Sequence, residues 1–366
     1  MRIVVDGRRL GLGQTGVGRY LEVLLHGWAD AGGPPSETLV ILHDPAGLDL
    51  IPNCPNMTAQ VRGVGWPGLA WERIALGRSY RPGDVLFAPT NLIPANWPGP
   101  SVLVLFDTLL WTAPQGFTWR NRVWFGRRMR LAAHRASLVI VPSRATFRGV
   151  IEHLGIAPDR LRTVDPAVAP EFHPRTASDP VVLGARAAVG LGDADYLLFL
   201  GKPSVRRNLP ALLAGFERHR RNHPLIKLVL AGPGTEALGG PDGVIAAGRV
   251  PDAVLYGLVA GARALVYPSS EEGFGLPILE ALASGCPAVT SVRGALAESG
   301  GDAAYDLGEV GPGSIAAALD RLADDPAERS VRITRGLAHA ARFTVAAFAQ
   351  GVGRVLEEAY TANQTG

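Results

Sequence analysis

Short apolar runs alternate along the chain with segments of helical period. In the first half the runs are Arg2–Asp6, Thr38–Asp44, Asp84–Pro89, Ser101–Asp107 and Ser137–Ser143, each ended by Gly, Pro, Asp or Ser. Runs of that length and punctuation predict strands. Helical spacing covers Val17–Asp30, Thr118–Arg135 and Arg144–Leu154. In the first of these, Tyr20, Leu21, Leu24, Leu25 and Trp28 share one face. A stretch with prolines at 166, 170, 174 and 180 reads as an interdomain linker. Alternation then restarts, with strands predicted at Tyr196–Leu200, Lys227–Ala231, Gly243–Ala247, Ala264–Pro268 and Pro287–Ser291. The matching helices are Leu209–Arg221, Asp252–Ala262 and Pro277–Ser284, and three more helical segments follow Ser314. Such alternation builds a parallel sheet covered on both faces. The expected fold class is α/β, with two Rossmann-like doubly wound domains. Residues 1–170 form the first and 171–343 the second, with a last helix, 344–362, opened by Thr344 as N-cap.

Composition narrows the class. The chain has 366 residues, 47% hydrophobic and 19% charged, which suits a folded globular protein of about two domains. Two cysteines, Cys54 and Cys286, exclude a disulfide scaffold and a cysteine-based zinc cluster, and fit a cytoplasmic setting. The opening MRIVVDGRRL reads as a strand, not a secretory signal. The longest uncharged run, Val85–Phe106, contains four prolines, which deny it a continuous membrane-spanning helix. The eight histidines read as scattered, without ligand spacing. Asp193-Ala194-Asp195 precedes a strand and reads as a turn.

In open parallel sheets, ligands sit beyond the carboxyl ends of strands. Three segments there carry candidate chemistry. SSEEGFGLPILEALASGCP (269–287) runs from a strand through a Gly-rich loop into a helix. It places Glu272 in the loop and Glu280 in the first helical turn, beside free backbone N–H groups suited to phosphate. GKPSVRRNLPALLAGF clusters Lys202, Arg206 and Arg207 ahead of a helix. Cations there match the charge developing on a diphosphate leaving group. GLGQTGVGRY (11–20) resembles a nucleotide-fold glycine loop but is out of register for G-x-G-x-x-G.

Together these segments resemble the family-4 retaining glycosyltransferases, group 1 type, of the two-domain GT-B fold. IVVDGRRL, APTNLIP, SVLVLFDTLLW, SLVIVPSRATFRGVIEHLGI and PEFHP occur in that family's order, followed by FLGKPSVRRNLPALL, AAGRVPD and the Glu272…Glu280 signature around EGFGLP. The resemblance implies two domains facing a cleft and transfer of a sugar from a nucleoside diphosphate (GDP-mannose, a UDP-sugar or a dTDP-deoxysugar). The acceptor would be a hydroxyl of a glycan, lipid-linked or natural-product molecule in bacterial polysaccharide biosynthesis. It implies that Glu280 holds the donor ribose and that Glu272 lies against the donor sugar. Backbone groups of Phe274, Gly275 and Leu276 would contact sugar hydroxyls. Arg207 stands at the diphosphate site and Lys202 near a second basic position. Gly16 would approach the diphosphate from the first domain, and Arg249 and Val250 would flank the base. The last helix would cross back onto the first domain. Many relatives have His-Asp where this chain has Phe106-Asp107; Asp107 remains as a candidate to orient an acceptor hydroxyl. No cofactor or metal is expected where Arg and Lys neutralise the diphosphate.

Charge is uneven. The net charge is +3, yet residues 1–170 hold 18 Arg, no Lys and 12 acidic residues, and all seven Trp. From Thr108 to Ile151 there are eight Arg and no acid, and Trp119 and Trp124 stand among Arg120, Arg127 and Arg128. The favoured reading packs the aromatic face of this helix in the core. The alternative lays it on the anionic inner face of the membrane or on a phosphorylated lipid acceptor. No nucleic-acid motif accompanies the charge. Rival functions are a GT-B sugar-nucleotide epimerase, an NAD(P)-dependent oxidoreductase and a silent binding protein. The glycine register argues against the oxidoreductase. The intact Glu272, Glu280 and Arg207 argue against the binding protein.

Overall fold

The structure is a computed structural model and describes residues 1–11 and 16–365. Residues 12–15, the middle of the expected first glycine loop, lie outside the described residues. The chain divides into two compact units. Met1–Ala167 with Phe343–Gly366 form one, and Val168–Arg342 the other.

The first unit is built on seven strands: β1 (Arg2–Asp6), β2 (Glu37–Leu42), β3 (Met57–Val61), β4 (Asp84–Ala88), β5 (Ser101–Val104), β6 (Leu138–Val141) and β7 (Leu161–Thr163). They pair in the order β3-β2-β1-β4-β5-β6-β7, all parallel, with Ile3 opposite both Thr38 and Val85. The inner strands β1, β4 and β5 are apolar and buried on both faces, as expected when helices cover a sheet on each side. The two strands that periodicity missed, β3 and β7, are the sheet edges. In β3 Thr58 and Gln60 face solvent, so polar positions interrupt the apolar run.

The second unit has β8 (Tyr196–Leu200), β9 (Lys227–Ala231), β10 (Val244–Gly248), β11 (Ala264–Tyr267), β12 (Ala288–Thr290) and β13 (Tyr305–Asp306). Their order is β10-β9-β8-β11-β12-β13, again parallel throughout. The chain runs outward from β8 to one edge, returns to β11 beside β8, and runs to the other edge. The β8–β11 boundary is therefore the switch point, where a crevice opens beyond the strand ends.

The chain passes from one unit to the other inside the Pro-rich stretch, between Ala167 and Val168, and the rest of the stretch packs within the second unit. Phe172, its large apolar residue, is 4% exposed and meets the Tyr256 ring edge-on at 4.9 Å. Asp179 then accepts a hydrogen bond from Val181 N at 2.8 Å and caps a helix, Pro180–Ala188, that the prolines had masked. Burial of one aromatic residue anchors the segment to the second unit.

The final helix, Val345–Thr365, belongs to the first unit, and Thr344 Oγ1 accepts from Ala347 N at its start. It packs on the Gly16–Asp30 helix, where Trp28 Nε1 donates to Ala349 O at 3.1 Å. Gly27 sets this approach: a Cβ there would stand 2.6 Å from Val345 Cγ1 and 3.1 Å from Ala349 Cβ. Among the described residues no helix is long and apolar enough to cross a membrane.

Gly27→Val is expected to destabilise the first unit by about 1–3 kcal/mol through overpacking. Urea unfolding followed by tryptophan fluorescence reads that unit, since all seven Trp lie in it. An unchanged midpoint would show that the two helices can separate freely.

Candidate active site

Strands β8 and β11 lie side by side, with Leu197 opposite Ala264, so the loops that leave them meet. The β8 loop begins at Gly201 (φ +113), passes a short helical turn at Val205–Arg207 and ends at Asn208. Asn208 holds φ +48 and ties the loops together, its Nδ2 donating to Arg206 O at 3.2 Å and to Pro268 O at 2.9 Å. Ser270 N donates to Arg206 O at 2.8 Å from the other side. These bonds fix the direction of the two arginines.

Both guanidinium groups turn to Glu272. Its Oε1 accepts from Arg206 Nη1, from Arg207 Nε at 3.4 Å, from Tyr267 OH at 2.6 Å and from Ser269 Oγ at 3.1 Å. Among the described residues every one of these bonds falls on Oε1, and Oε2 receives none. Burial first, and then the Glu272 charge, push the Tyr267 hydroxyl far up, so it stays protonated and donates. Burial opposes the charge on Arg207, but the neighbouring Tyr267 and Glu272 outweigh it and hold the guanidinium above its ordinary value. Arg207 lies 5.4 Å over the Tyr267 ring and donates from Nη1 to Lys202 O at 2.9 Å. Gly201 makes room for it, since a Cβ there would stand 2.0 Å from that same Nη1. Lys202 itself is exposed at the loop's edge.

The β11 loop continues into the helix Leu276–Ala283. Phe274 is 5% exposed, and Gly275 caps the helix at φ +101. A Cβ at Gly275 would meet Ser299 Oγ at 2.7 Å, so the turn requires glycine there. Leu276 opens the helix. Glu280 falls in its second turn and not its first, because the helix begins one residue before Pro277, and its side chain is 3% exposed. Arg249 is exposed and Val250 half-buried just past β10, along the same carboxyl edge of the sheet.

In the first unit, Asp107 follows β5, and its Oδ1 accepts from Leu109 N at 3.0 Å to start the next helical turn. Phe106 packs edge-on against Tyr20 at 4.9 Å, and its N–H is held by Asn91 Oδ1 at 3.2 Å. Gly16 opens its helix exposed, and a Cβ there would meet nothing within 4 Å. Among the described residues, packing within this unit therefore does not demand glycine at that position.

The Trp119–Arg135 helix departs from the favoured core reading. Trp119 is 72% exposed, Val123 62% and Trp124 53%; Gly126, Met129, Ala132 and Ala133 are the residues it buries. Its first turns therefore carry aromatic residues on the solvent side, beside the exposed Arg120 and Arg127. Arg128 is not a free surface cation: its Nη2 lies 2.8 Å from both oxygens of the buried Glu72 and its guanidinium 4.7 Å over Trp124. Glu72 also receives Arg8 Nη1 at 3.2 Å, and Arg8 grips the fully buried Asp6 at the end of β1.

Sequence reasoning missed Tyr267, Ser269 and Asn208, and it grouped Arg206 with the loop's cations without giving it a role of its own. The one available signal was their position, since all four stand at or just past the ends of two strands. The histidine expectation also needs correction: His219 and His223 are four residues apart and meet side by side, with rings 4.4 Å apart.

A model of the family described as glycosyl transferases group 1 matches residues 194–325. The O-antigen chain mannosyltransferase B of Escherichia coli is 28% identical over 94% of this chain and 96% of its own length. The crystal structure of Anabaena HepE in complex with UDP and glucose superimposes with a TM-score of 0.75 at 18% identity, over 98% of this chain and 100% of that one. WaaG, a glycosyltransferase involved in lipopolysaccharide biosynthesis, gives 0.72 at 15% identity, over 97% and 99%. With the two parallel sheets, these likenesses show the GT-B fold, and residues 194–325 of the second unit match the glycosyl transferases group 1 model.

Proposed function

We propose that this glycosyltransferase takes a hexose, with retention, from a nucleoside-diphosphate donor and passes it to a hydroxyl of a glycan or lipid-linked acceptor. The observation that carries the reading is the pairing of Arg206 and Arg207 on one oxygen of Glu272 at the β8–β11 switch point. A diphosphate arriving there meets two guanidinium groups and the Lys202 ammonium. These stabilise the charge that grows as the bond from the sugar to the phosphate breaks. They stand in the role a metal ion fills in other phosphate sites. The acceptor oxygen forms the new bond to the anomeric carbon, and its proton leaves with the departing phosphate oxygen. Glu272 Oε2 is available to a sugar hydroxyl, while Oε1 keeps both arginines in place. Glu280 serves the ribose, and the Gly275 turn presents backbone N–H groups. The name of the Escherichia coli relative supports a mannosyl donor and an O-antigen type of acceptor. The HepE complex supports a uridine diphosphate donor as the alternative to test.

The exposed start of the Trp119–Arg135 helix supports contact with the anionic face of a membrane, where a lipid-linked acceptor would be met. Trp and Val on the solvent side, interleaved with Arg, suit the headgroup boundary.

Arg207→Ala is expected to lower turnover by about 100-fold, equivalent to ~3 kcal/mol of lost charge stabilisation. Release of nucleoside diphosphate in the presence of donor and acceptor reads this, and wild-type turnover would move the phosphate site elsewhere. Glu280→Gln keeps the buried volume and is expected to weaken donor affinity at least tenfold with little change in melting temperature. Calorimetric titration with UDP- and GDP-sugars checks it, and unchanged affinity for the true donor would remove Glu280 from the ribose site. Trp119→Ser with Trp124→Ser is expected to abolish sedimentation with phosphatidylglycerol vesicles while leaving donor affinity intact. Equal sedimentation of variant and wild type would reject the membrane role.

A further inference from the structure

Two helices in the second unit, Leu209–Arg220 and Pro312–Asp324, lie on the same side of its sheet and share one apolar core that includes Leu212, Phe216, Ile315 and Leu319. They run in the same direction, Gly215 beside Ile315 and His219 beside Asp320. Gly215 allows the close approach: a Cβ there would stand 2.8 Å from Ile315 Cβ and 3.0 Å from Pro312 O. One turn further on, the two helices face each other with polar groups. The first supplies His219 and, just past its end, His223; the second supplies Asp320 and Asp324. Each pair is spaced four residues, which puts both members on one face.

His219 Nδ1 is 2.5 Å from Asp320 Oδ1. His223 Nε2 is 3.7 Å from the same oxygen and 3.5 Å from Asp324 Oδ1. Potential ligand atoms of His219, His223 and Asp320 all lie within 4.8 Å of one another. The His219–Asp320 bond would by itself explain those two residues as a helix tie. It does not explain His223, whose Nε2 is shut off from solvent and has no hydrogen-bond partner. Nor does it explain two carboxylates that no lysine or arginine pairs with among the described residues. The nearby cations point elsewhere. Arg321 lies over the Tyr305 ring at 5.9 Å, Arg220 over Phe216 at 6.0 Å, and Arg218 Nη1 lies 3.6 Å from where a Cβ on Gly313 would stand, at the start of the second helix. Two imidazoles and two carboxylates with net negative charge form a donor set suited to a divalent transition ion, which prefers imidazole nitrogen with carboxylate oxygen.

We infer that His219, His223 and Asp320 bind one divalent ion of the zinc class, with Asp324 beside His223, clamping these two helices at the end remote from the arginine loop. The first helix starts directly after Asn208 and is about 15 Å long from there to His219, so the ion would act on rigidity and not on the sugar-transfer step. Its role is structural, and it is separate from the neutralisation of diphosphate by Arg206 and Arg207.

The test uses the full chain without a histidine tag, stripped with EDTA and freed of chelator. Cobalt(II) is expected to give a saturable visible absorption band at one ion per chain, displaced by zinc. Zinc at a hundredfold excess over its Kd is expected to raise the melting temperature of the second unit by about 5 °C. His223→Ala, at a partly exposed position, and Asp320→Asn are each expected to weaken zinc at least tenfold in calorimetry. Absence of a saturable cobalt band in the wild type would overturn the inference, whatever the variants do. Zinc affinity unchanged in both variants would overturn it as well.

Discussion

Glu272 presents a single oxygen to two guanidinium groups, a tyrosine and a serine, and the β8–β11 switch point is organised around that convergence. Adjacent arginines would repel one another and swing into solvent without a shared counter-charge. Held by one carboxylate, they stay on one side of the crevice, and Arg206 Nη1 also donates to Ser269 Oγ at 3.2 Å and to Glu271 O at 3.0 Å. The arrangement is half-buried, and breaking an ion pair in such a place leaves an uncompensated charge. Tyr267, rising from β11 beneath the pair, reinforces it with a short hydrogen bond and a ring face under Arg207.

The backbone around this cluster is constrained to match. Gly201 and Gly232 close the ends of β8 and β9, and a Cβ on Gly232 would stand 2.6 Å from the carbonyl carbon of Gly201. Gly275 turns the β11 loop into its helix where Ser299 leaves no room for a side chain. Asn208 supplies a left-handed turn and two side-chain bonds in one residue. Small or turn-forming residues therefore occupy the positions at these strand ends where backbone, and not side chain, comes close to its neighbours.

The first unit solves a different problem. Its ionic cluster, Asp6–Arg8–Glu72–Arg128, lies at the end of β1 and is largely withdrawn from solvent. Glu72 sits on a short wide-turn helical segment, Trp71–Leu76, and joins Arg8 to Arg128. The Trp119–Arg135 helix is thus anchored at its middle by Arg128 while its start stands free with Trp119 and Val123 outward. An anchored helix with an exposed apolar and basic end can meet an outside surface without loosening the core.

What the sequence determined by itself was local. Apolar runs ended by Gly, Pro, Asp or Ser located the inner strands, and Tyr196–Leu200 and Lys227–Ala231 match residue for residue. Helical period, a capping threonine and the prolines placed most helices, since period and cap chemistry depend on neighbours a few residues away. The edge strands β3 and β7 escaped because exposed polar positions interrupt their short apolar pattern. The candidate loops were visible as residue types at strand ends, but the partners within them were not. Arg206 and Glu272 are 66 residues apart, and they meet because the chain lays β11 beside β8. His219 and Asp320, 101 residues apart, meet because Gly215 lets two helices close on one another. Trp119 and Trp124 show the same limit in reverse. Their sequence pattern suits a buried face, and only the packing of the unit decides that both stand mostly exposed.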